Sequence, residues 1–197
     1  MKRVSIHKKS DIVIIVAHEI YGVNRHMRDF CELLTERGFD VICPNLLERE
    51  APFDYEEEAA AYRHFIENVG FVRAARTMKR LLIDMEKKYK KVFLIGFSVG
   101  ATVAWLCSEE KSVDGIIGYY GSRIRDYLSI SPQCPVLLFF PQEEPSFSVD
   151  ELIKHLRTGS IQVHQLNGQH GFSDPYSPRY DTKSAQTAFN EVIKFIG

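Results

Sequence analysis

Two hydrophobic patterns alternate along this chain. Short runs rich in β-branched and aromatic residues are typical of strands that are buried on both faces of a parallel sheet. Between these runs, apolar residues recur at i, i+3, i+4 and i+7, which predicts amphipathic helices. The predicted strands are 11–17, 40–43, 91–95, 113–120, 135–140 and 161–166, with a short edge strand at 3–8. The predicted helices lie between Asn24 and Gly38 and over 56–68, 71–85, 101–107, 148–159 and 185–196.

Strands that alternate with helices predict a doubly wound, mostly parallel α/β sheet. Local signals support the element ends: Asn24 is a suitable helix N-cap, and Gly38 is a suitable helix C-terminus. Ser148 and Glu151 have the spacing of a capping box at the start of another helix. At 197 residues, without an internal repeat or a low-complexity linker, the chain is expected to form a single domain over 1–197.

Composition narrows the classes of partner. The formal net charge is −1, so neither nucleic acid nor an anionic membrane is an expected partner. The longest aliphatic run, 12–17, is too short to span a bilayer, and the first residues lack the apolar stretch of a secretory signal. The cysteines are widely spaced and lie in or beside apolar segments, which favours reduced buried thiols. We therefore expect a cytoplasmic protein; its oligomeric state is not indicated.

The segment Gly96-Phe97-Ser98-Val99-Gly100 fits the pattern G-x-S-x-G between a predicted strand and a predicted helix. This is the pattern of a nucleophile elbow, a strained turn that presents a serine hydroxyl at the carboxyl end of a strand. Small neighbours let the strand and the helix approach each other, and the helix N-terminus favours a developing negative charge. The pattern predicts Ser98 as a nucleophile; the alternative is a purely structural turn.

A serine hydroxyl needs a base, and the base needs a group that orients it. The carboxyl ends of parallel strands share one edge of the sheet, so reactive groups at these ends are expected to meet. In α/β-hydrolases the nucleophile, the acid and the histidine follow in this order, which makes His170 the predicted base. Glu144 is the favoured acid because it stands a few residues past its strand, with Glu143 and Asp150 as alternatives.

The remaining candidates concern metals, cofactors and the pocket wall. His18-Glu19 does not continue as H-E-x-x-H, and no G-x-G-x-x-G follows the first long strand, so we expect neither a metal nor a cofactor. Aromatic residues near the same sheet edge are candidates for an apolar substrate pocket, or alternatively for the core: Tyr21, Tyr119, Tyr120, Phe172 and Tyr176. Candidates for an anion contact, or for ordinary surface charge, are Arg63, Arg123 and Arg125.

With these residues in view, the chain resembles the dienelactone hydrolase family of α/β-hydrolases over nearly its whole length. The stretches that carry the resemblance are His18-Glu-Ile-Tyr-Gly22, Gly38-Phe-Asp-Val-Ile-Cys-Pro-Asn45, Gly96-Phe-Ser-Val-Gly100, Tyr119-Tyr-Gly121 and His170-Gly-Phe172. The resemblance implies a triad of Ser98, His170 and Glu144. It also implies an oxyanion hole built from the backbone N–H groups of Ile20 and Val99, and a contact of Glu19 with the nucleophile.

Three departures from the family pattern shape the expected chemistry. The best-known members carry cysteine where this chain has Ser98, so the role of Glu19 in activating a thiol is open here. The usual acid is aspartate, whereas Glu144 is one methylene longer. Those enzymes bind a substrate carboxylate with arginine, and here none follows His170 until Arg179, so dienelactone itself is not the expected substrate. The N-terminus is also short, so edge strands of the family fold are expected to be missing.

The expected function is a serine hydrolase that cleaves an ester-like bond, carboxylester or lactone, of a small molecule through an acyl-enzyme. Two alternatives remain. The same triad would serve a thioesterase or a peptidase, because fold and triad do not choose the acyl donor. A non-catalytic binding protein on an α/β-hydrolase fold is the alternative from a different class.

Overall fold

The computed structural model describes residues 3–156 and 159–197. The strands are β1 (Arg3–Ile6), β2 (Ile12–Ala17), β3 (Asp40–Pro44), β4 (Lys91–Phe97), β5 (Gly115–Tyr119), β6 (Val136–Pro141) and β7 (Ile161–Leu166). The α-helices are α1 (Arg25–Glu36), α2 (Glu58–His64), α3 (Phe71–Glu86), α4 (Val99–Leu106), α5 (Val149–Leu156) and α6 (Thr182–Ile196). The predicted strands and helices are therefore confirmed with two exceptions. The segment 56–68 is not one continuous α-helix, and the predicted end of the fifth helix runs through 157–158, which lie outside the described residues.

The strands form one seven-stranded sheet in the order β1-β3-β2-β4-β5-β6-β7. Among the described strands, β1 alone is antiparallel to its neighbour. The other pairs are parallel, so the predicted mostly parallel α/β sheet is confirmed. The register brings the ends of the central strands level, with Ala17 opposite Gly96 and Phe97 opposite Tyr119. The loops after β2, β4, β5 and β6 consequently leave the sheet at one edge, where the site is found.

Each face of the sheet is covered by its own set of helices. Helices α3, α4 and α5 bury one apolar layer against the sheet, and α1 and α6 bury the other. The strands in the middle are therefore buried on both sides, which explains their continuous apolar sequences. At the edge, β7 is only partly buried, as its alternating sequence predicts.

Local capping agrees with the predicted element ends. The backbone N–H of Met27 donates to Oδ1 of Asn24 over 3.1 Å, which caps α1. The segment predicted as one helix over 56–68 consists instead of a 3₁₀ turn (Tyr55–Glu57), α2 and a π turn (Phe65–Val69). It ends at Gly70, whose φ is 69° and whose N–H donates to the Phe65 carbonyl over 2.7 Å.

Among the described residues, no helix combines the length and the apolar character needed to cross a membrane.

Candidate active site

Ser98 occupies a strained turn between β4 and α4. Its φ of 53° lies in the left-handed region, which a residue with a side chain adopts only when its surroundings impose it. The flanking glycines allow the turn: a Cβ on Gly96 would lie 2.1 Å from the Gly100 carbonyl oxygen, and a Cβ on Gly100 would lie 2.2 Å from the Ala17 carbonyl oxygen. Both positions require glycine, and together they hold the Ser98 hydroxyl above the end of the sheet.

A chain of two hydrogen bonds links three of the predicted site residues. Oγ of Ser98 lies 2.9 Å from Nε2 of His170, and Nδ1 of His170 lies 2.6 Å from Oε1 of Glu144. A carboxylate accepts, so Nδ1–H donates to Glu144, which leaves Nε2 free to accept from the serine hydroxyl. The two other candidate acids lie elsewhere: Glu143 is exposed, and Asp150 accepts a hydrogen bond from Gln165 over 3.0 Å.

The loop that carries His170 is anchored on both sides. Phe172, two residues later, is fully buried in the layer under α1 and α6. Its carbonyl accepts the N–H of Asp181 over 3.0 Å, at the N-cap of α6. The ring of Tyr120 lies 4.9 Å from the imidazole, centroid to centroid. These contacts hold the imidazole over Ser98 while leaving 27% of its side-chain surface exposed.

The two predicted oxyanion residues flank Ser98. Val99 is the first residue of α4, so its N–H lies at the helix N-terminus, where intrahelical partners are missing. Ile20 lies in the loop after β2 and lines the same cavity as Ser98 and Val99. Among the hydrogen bonds of the described residues, none uses the backbone N–H of Ile20 or Val99. Both groups are therefore available to a ligand.

Glu19 is buried and directed at a tyrosine. Its Oε1 accepts a hydrogen bond from the Tyr120 hydroxyl over 2.7 Å, and that hydroxyl lies 2.8 Å from Oγ of Ser173. Burial raises the pKa of the Glu19 carboxyl above its usual range, and burial likewise raises the pKa of Tyr120. Within the described part of the chain, no hydrogen bond joins Glu19 to Ser98, although both line one small cavity.

One group of three buried side chains has the spacing of a cation site among the described residues. Ligand atoms of Glu19, His26 and Asp174 lie within 4.8 Å of one another. The two carboxylates already accept hydrogen bonds, Glu19 from Tyr120 and Asp174 from Tyr55 over 2.5 Å. Nδ1 of His26 lies 3.6 Å from Oδ2 of Asp174. These contacts form a network that ties the loop after His170 to the loop after β2, and the absence of a metal stays a prediction.

The Ser98 hydroxyl opens into a cavity of about 700 Å³. The wall of this cavity is more polar than the sequence predicts, since the aromatic candidates indicated an apolar pocket. Besides the groups described above, the wall contains Glu58, Tyr62, Ser122, Arg123, Arg125, Glu143, Pro145, Ser146, Gln169 and Arg179. The charged side chains give the cavity wall both signs of charge.

The sequence-based assignment of three aromatic residues to this wall is corrected by the structure. Tyr119, Tyr120 and Phe172 are at most 1% exposed and pack in the layer under α1 and α6. These rings, two of them at the end of β5 and one in the loop after His170, therefore lie in the core rather than in the cavity wall. Tyr21 lines a smaller cavity of about 50 Å³ beside Ser98, and Tyr176 lies under Arg25 of α1.

Comparison with known proteins decides the family. The sequence pattern of the dienelactone hydrolase family matches residues 3–197. The chain belongs to this family. It is 44% identical to the uncharacterized protein YczH of Bacillus subtilis strain 168 over 168 residues, which cover 84% of this chain and 82% of the relative. It is 31% identical to a carboxymethylenebutenolidase of Pseudomonas putida over 202 residues, covering 93% and 84% of the two chains.

The fold agrees with this membership. A solved structure of a dienelactone hydrolase-like promiscuous phosphotriesterase from metagenomic libraries superposes with a TM-score of 0.73 at 19% identity, covering 93% of this chain and 84% of that one. Membership makes the protein a hydrolase of the dienelactone hydrolase and esterase type. The predicted family is confirmed.

Sequence reasoning about this family member missed part of the cavity wall. Arg123 and Arg125, predicted as candidates for an anion contact, do line the cavity, whereas Arg63 is exposed on α2 and does not. Glu58 and Tyr62 are not predictable as wall residues, because α2 follows a long loop and does not directly follow the end of a strand. In the sequence they are an ordinary charged residue and an ordinary aromatic residue of a short helix, and neither indicates a cavity wall.

Proposed function

We propose that this hydrolase is a serine esterase that cleaves an ester or lactone of a small polar molecule through an acyl-enzyme. The observation that carries the proposal is the hydrogen-bonded chain from Ser98 through His170 to Glu144 at the floor of a cavity of about 700 Å³. Similarity to a carboxymethylenebutenolidase supports the ester or lactone class.

In the proposed mechanism, Oγ of Ser98 attacks the substrate carbonyl carbon while its proton passes to Nε2 of His170. The carbonyl oxygen becomes an oxyanion, which accepts hydrogen bonds from the N–H groups of Ile20 and Val99. Glu144 stabilises the imidazolium that forms. Collapse of the tetrahedral intermediate breaks the ester C–O bond, and His170 protonates the leaving alcohol. Water then attacks the acyl-enzyme by the same steps and releases the acid.

The first test is covalent labelling with a fluorophosphonate probe, which reacts with activated serines. We expect stoichiometric labelling of the wild-type protein, with the modified peptide mapping to Ser98. The Ser98→Ala variant is expected to remain unlabelled. Ser122, which also lines the cavity, provides the matched control, because Ser122→Ala should label like the wild type. A folded wild-type protein that does not label would overturn the esterase mechanism and favour a binding protein.

The charges on the wall favour a substrate with an anionic group. Glu144 is engaged by His170, so the other charged side chains of the wall are three arginines and the two carboxylates Glu58 and Glu143. Arg179 is the more loosely paired, since it lies 3.7 Å from Glu58, whereas Nε of Arg123 lies 2.8 Å from Asp126. Both arginine side chains are about two-fifths exposed. A substrate carboxylate or phosphate reaching past the serine would therefore meet guanidinium donors.

This preference gives a prediction about KM. We expect Arg123→Gln and Arg179→Gln each to raise KM for the hemisuccinate ester of p-nitrophenol by about two- to fivefold, the range for partly exposed charge pairs. KM for neutral p-nitrophenyl butyrate should change less than about twofold. Arg63→Gln, on the exposed face of α2, is the matched control and should change neither value. Equal effects on the two esters would exclude an anion contact at these arginines.

A further inference from the structure

His18 is a fully buried histidine between two loops at the edge of the sheet. Its Nε2 accepts the backbone N–H of Leu46 over 2.9 Å, and its Nδ1 lies 2.6 Å from the Glu19 carbonyl oxygen. A backbone N–H can only donate, so Nε2 carries no proton. A carbonyl can only accept, so Nδ1 carries the proton and donates it to Glu19. The two backbone partners therefore define the tautomer without ambiguity.

The Glu19 carbonyl belongs to the same peptide unit as the Ile20 N–H. A trans peptide is planar, with its C=O and N–H pointing in opposite directions, so a group that holds the oxygen also sets the direction of the hydrogen. Two donors hold this oxygen, His18 Nδ1–H and the Gly22 N–H over 3.2 Å. On the other side of the peptide, Ile20 lines the cavity together with Ser98.

We propose that His18 is a positioning residue that aims the Ile20 N–H at the oxyanion formed at Ser98. This inference rests on the proposed esterase function, because only a developing oxyanion requires that donor. Donors that are already aligned need no reorganisation when charge develops, so the orientation of one peptide affects the rate more than substrate binding. A hydrogen bond to the carbonyl also polarises the peptide and strengthens its N–H as a donor.

Burial supports a permanent role for the neutral ring. Desolvation lowers the pKa of His18 to about 4, so the ring stays neutral across the pH range in which an esterase works. If His18 had a purely structural role, loss of either hydrogen bond should have the same effect, since each bond joins His18 to one loop. The positioning role depends on the bond to Glu19 alone, and this difference can be tested.

Two amide substitutions divide the hydrogen bonds of His18 between them. In His18→Asn the side-chain NH₂ lies near the position of Nδ1, so the donor to Glu19 is kept and the acceptor for Leu46 is lost. In His18→Gln the longer side chain places its oxygen near Nε2, so the acceptor for Leu46 is kept and the donor to Glu19 is lost. Each variant loses one hydrogen bond and the ring, so similar losses of thermal stability are expected.

Two quantities are measured for each variant. The first is kcat and KM for a neutral ester, and the second is the affinity for a phenylboronic acid, which forms a tetrahedral adduct with serine. We expect His18→Gln to lower kcat by about 10- to 100-fold with KM nearly unchanged, as part of the effect of losing one oxyanion donor. His18→Asn is expected to stay within about threefold of the wild type. Boronate affinity should fall in His18→Gln alone. Equal losses in both variants, or a loss confined to KM, would overturn the proposal.

A second measurement uses the wild-type protein, in case neither variant folds. Long-range proton–nitrogen correlation spectra of ¹⁵N-labelled protein report which ring nitrogen of His18 carries the proton. We expect the Nδ1–H tautomer, and we expect the Ile20 amide proton to move downfield when boronate binds. A proton on Nε2, or an Ile20 amide that does not respond, would overturn the proposal. Failure of the wild-type protein to hydrolyse any ester would instead contradict the esterase function itself.

Discussion

The His170→Ala substitution is expected to lower kcat for ester hydrolysis by roughly 10⁴-fold or more, with KM changed little. Nε2 of His170 is the group that hydrogen-bonds to Oγ of Ser98, so without the imidazole the serine has no base and the leaving alcohol has no acid. KM should change little because the imidazole is only one of many groups that line the cavity and can contact the substrate. The measurement is steady-state kinetics with p-nitrophenyl butyrate.

The matched control for this prediction is His155→Ala. His155 lies on the exposed face of α5, where its Nδ1 contacts the Glu151 carbonyl within the same helix. It is expected to keep the wild-type kcat. Fluorophosphonate labelling of His170→Ala should also disappear, because the probe needs an activated serine. A His170→Ala enzyme that turns over at the wild-type rate would mean that another group removes the serine proton.

Much of this fold could be predicted from sequence because buried strands have a recognisable apolar sequence. A strand covered by helices on both faces must be apolar throughout, and β2 and β6 are. The direction of β1 is not visible in its sequence. Its antiparallel pairing with β3 depends on which edge of the sheet this short segment reaches. The π turn before Gly70 was also missed, because an apolar helical repeat does not reveal a change in hydrogen-bond spacing.

The parts of the site that were predictable are those that chemistry constrains to particular residue types. The turn around Ser98 admits only glycine at positions 96 and 100, so it can be recognised as a sequence motif. The cavity wall is different, because any side chain of suitable direction can serve. The place of Tyr120 at a strand end predicts a position in the wall, yet its φ of 42° turns the ring into the core toward Glu19. No pattern along the chain reports that turn.

The choice among three acids was unresolved by sequence for a similar reason. The loop after β6 is short and polar, and which carboxylate faces His170 depends on its local path. A single bridge between Glu144 and Phe147 folds this loop back on itself. Glu144 then points inward, with only 6% of its side chain exposed, while Glu143 points to solvent.

The Glu144→Gln substitution is therefore expected to lower kcat by roughly 10³- to 10⁴-fold while leaving the fold intact. Glutamine has the shape of glutamate but no charge, so the imidazolium formed during catalysis loses its stabilising partner. Its amide can also donate to Nδ1 of His170, which favours the tautomer with the proton on Nε2. That tautomer cannot take the proton of Ser98. Steady-state kinetics, with a thermal melt to confirm folding, measures the effect.

The rival acids make this prediction decisive, because each has its own isosteric substitution. Asp150→Asn should keep the wild-type kcat, since its carboxylate accepts from the exposed Gln165 rather than from His170. Glu143→Gln removes an exposed charge from the cavity rim, so its effect should fall on KM for charged esters. If either of these variants lost a thousandfold in kcat while Glu144→Gln did not, the hydrogen bond of 2.6 Å between Glu144 and His170 would not be the one that orients the base.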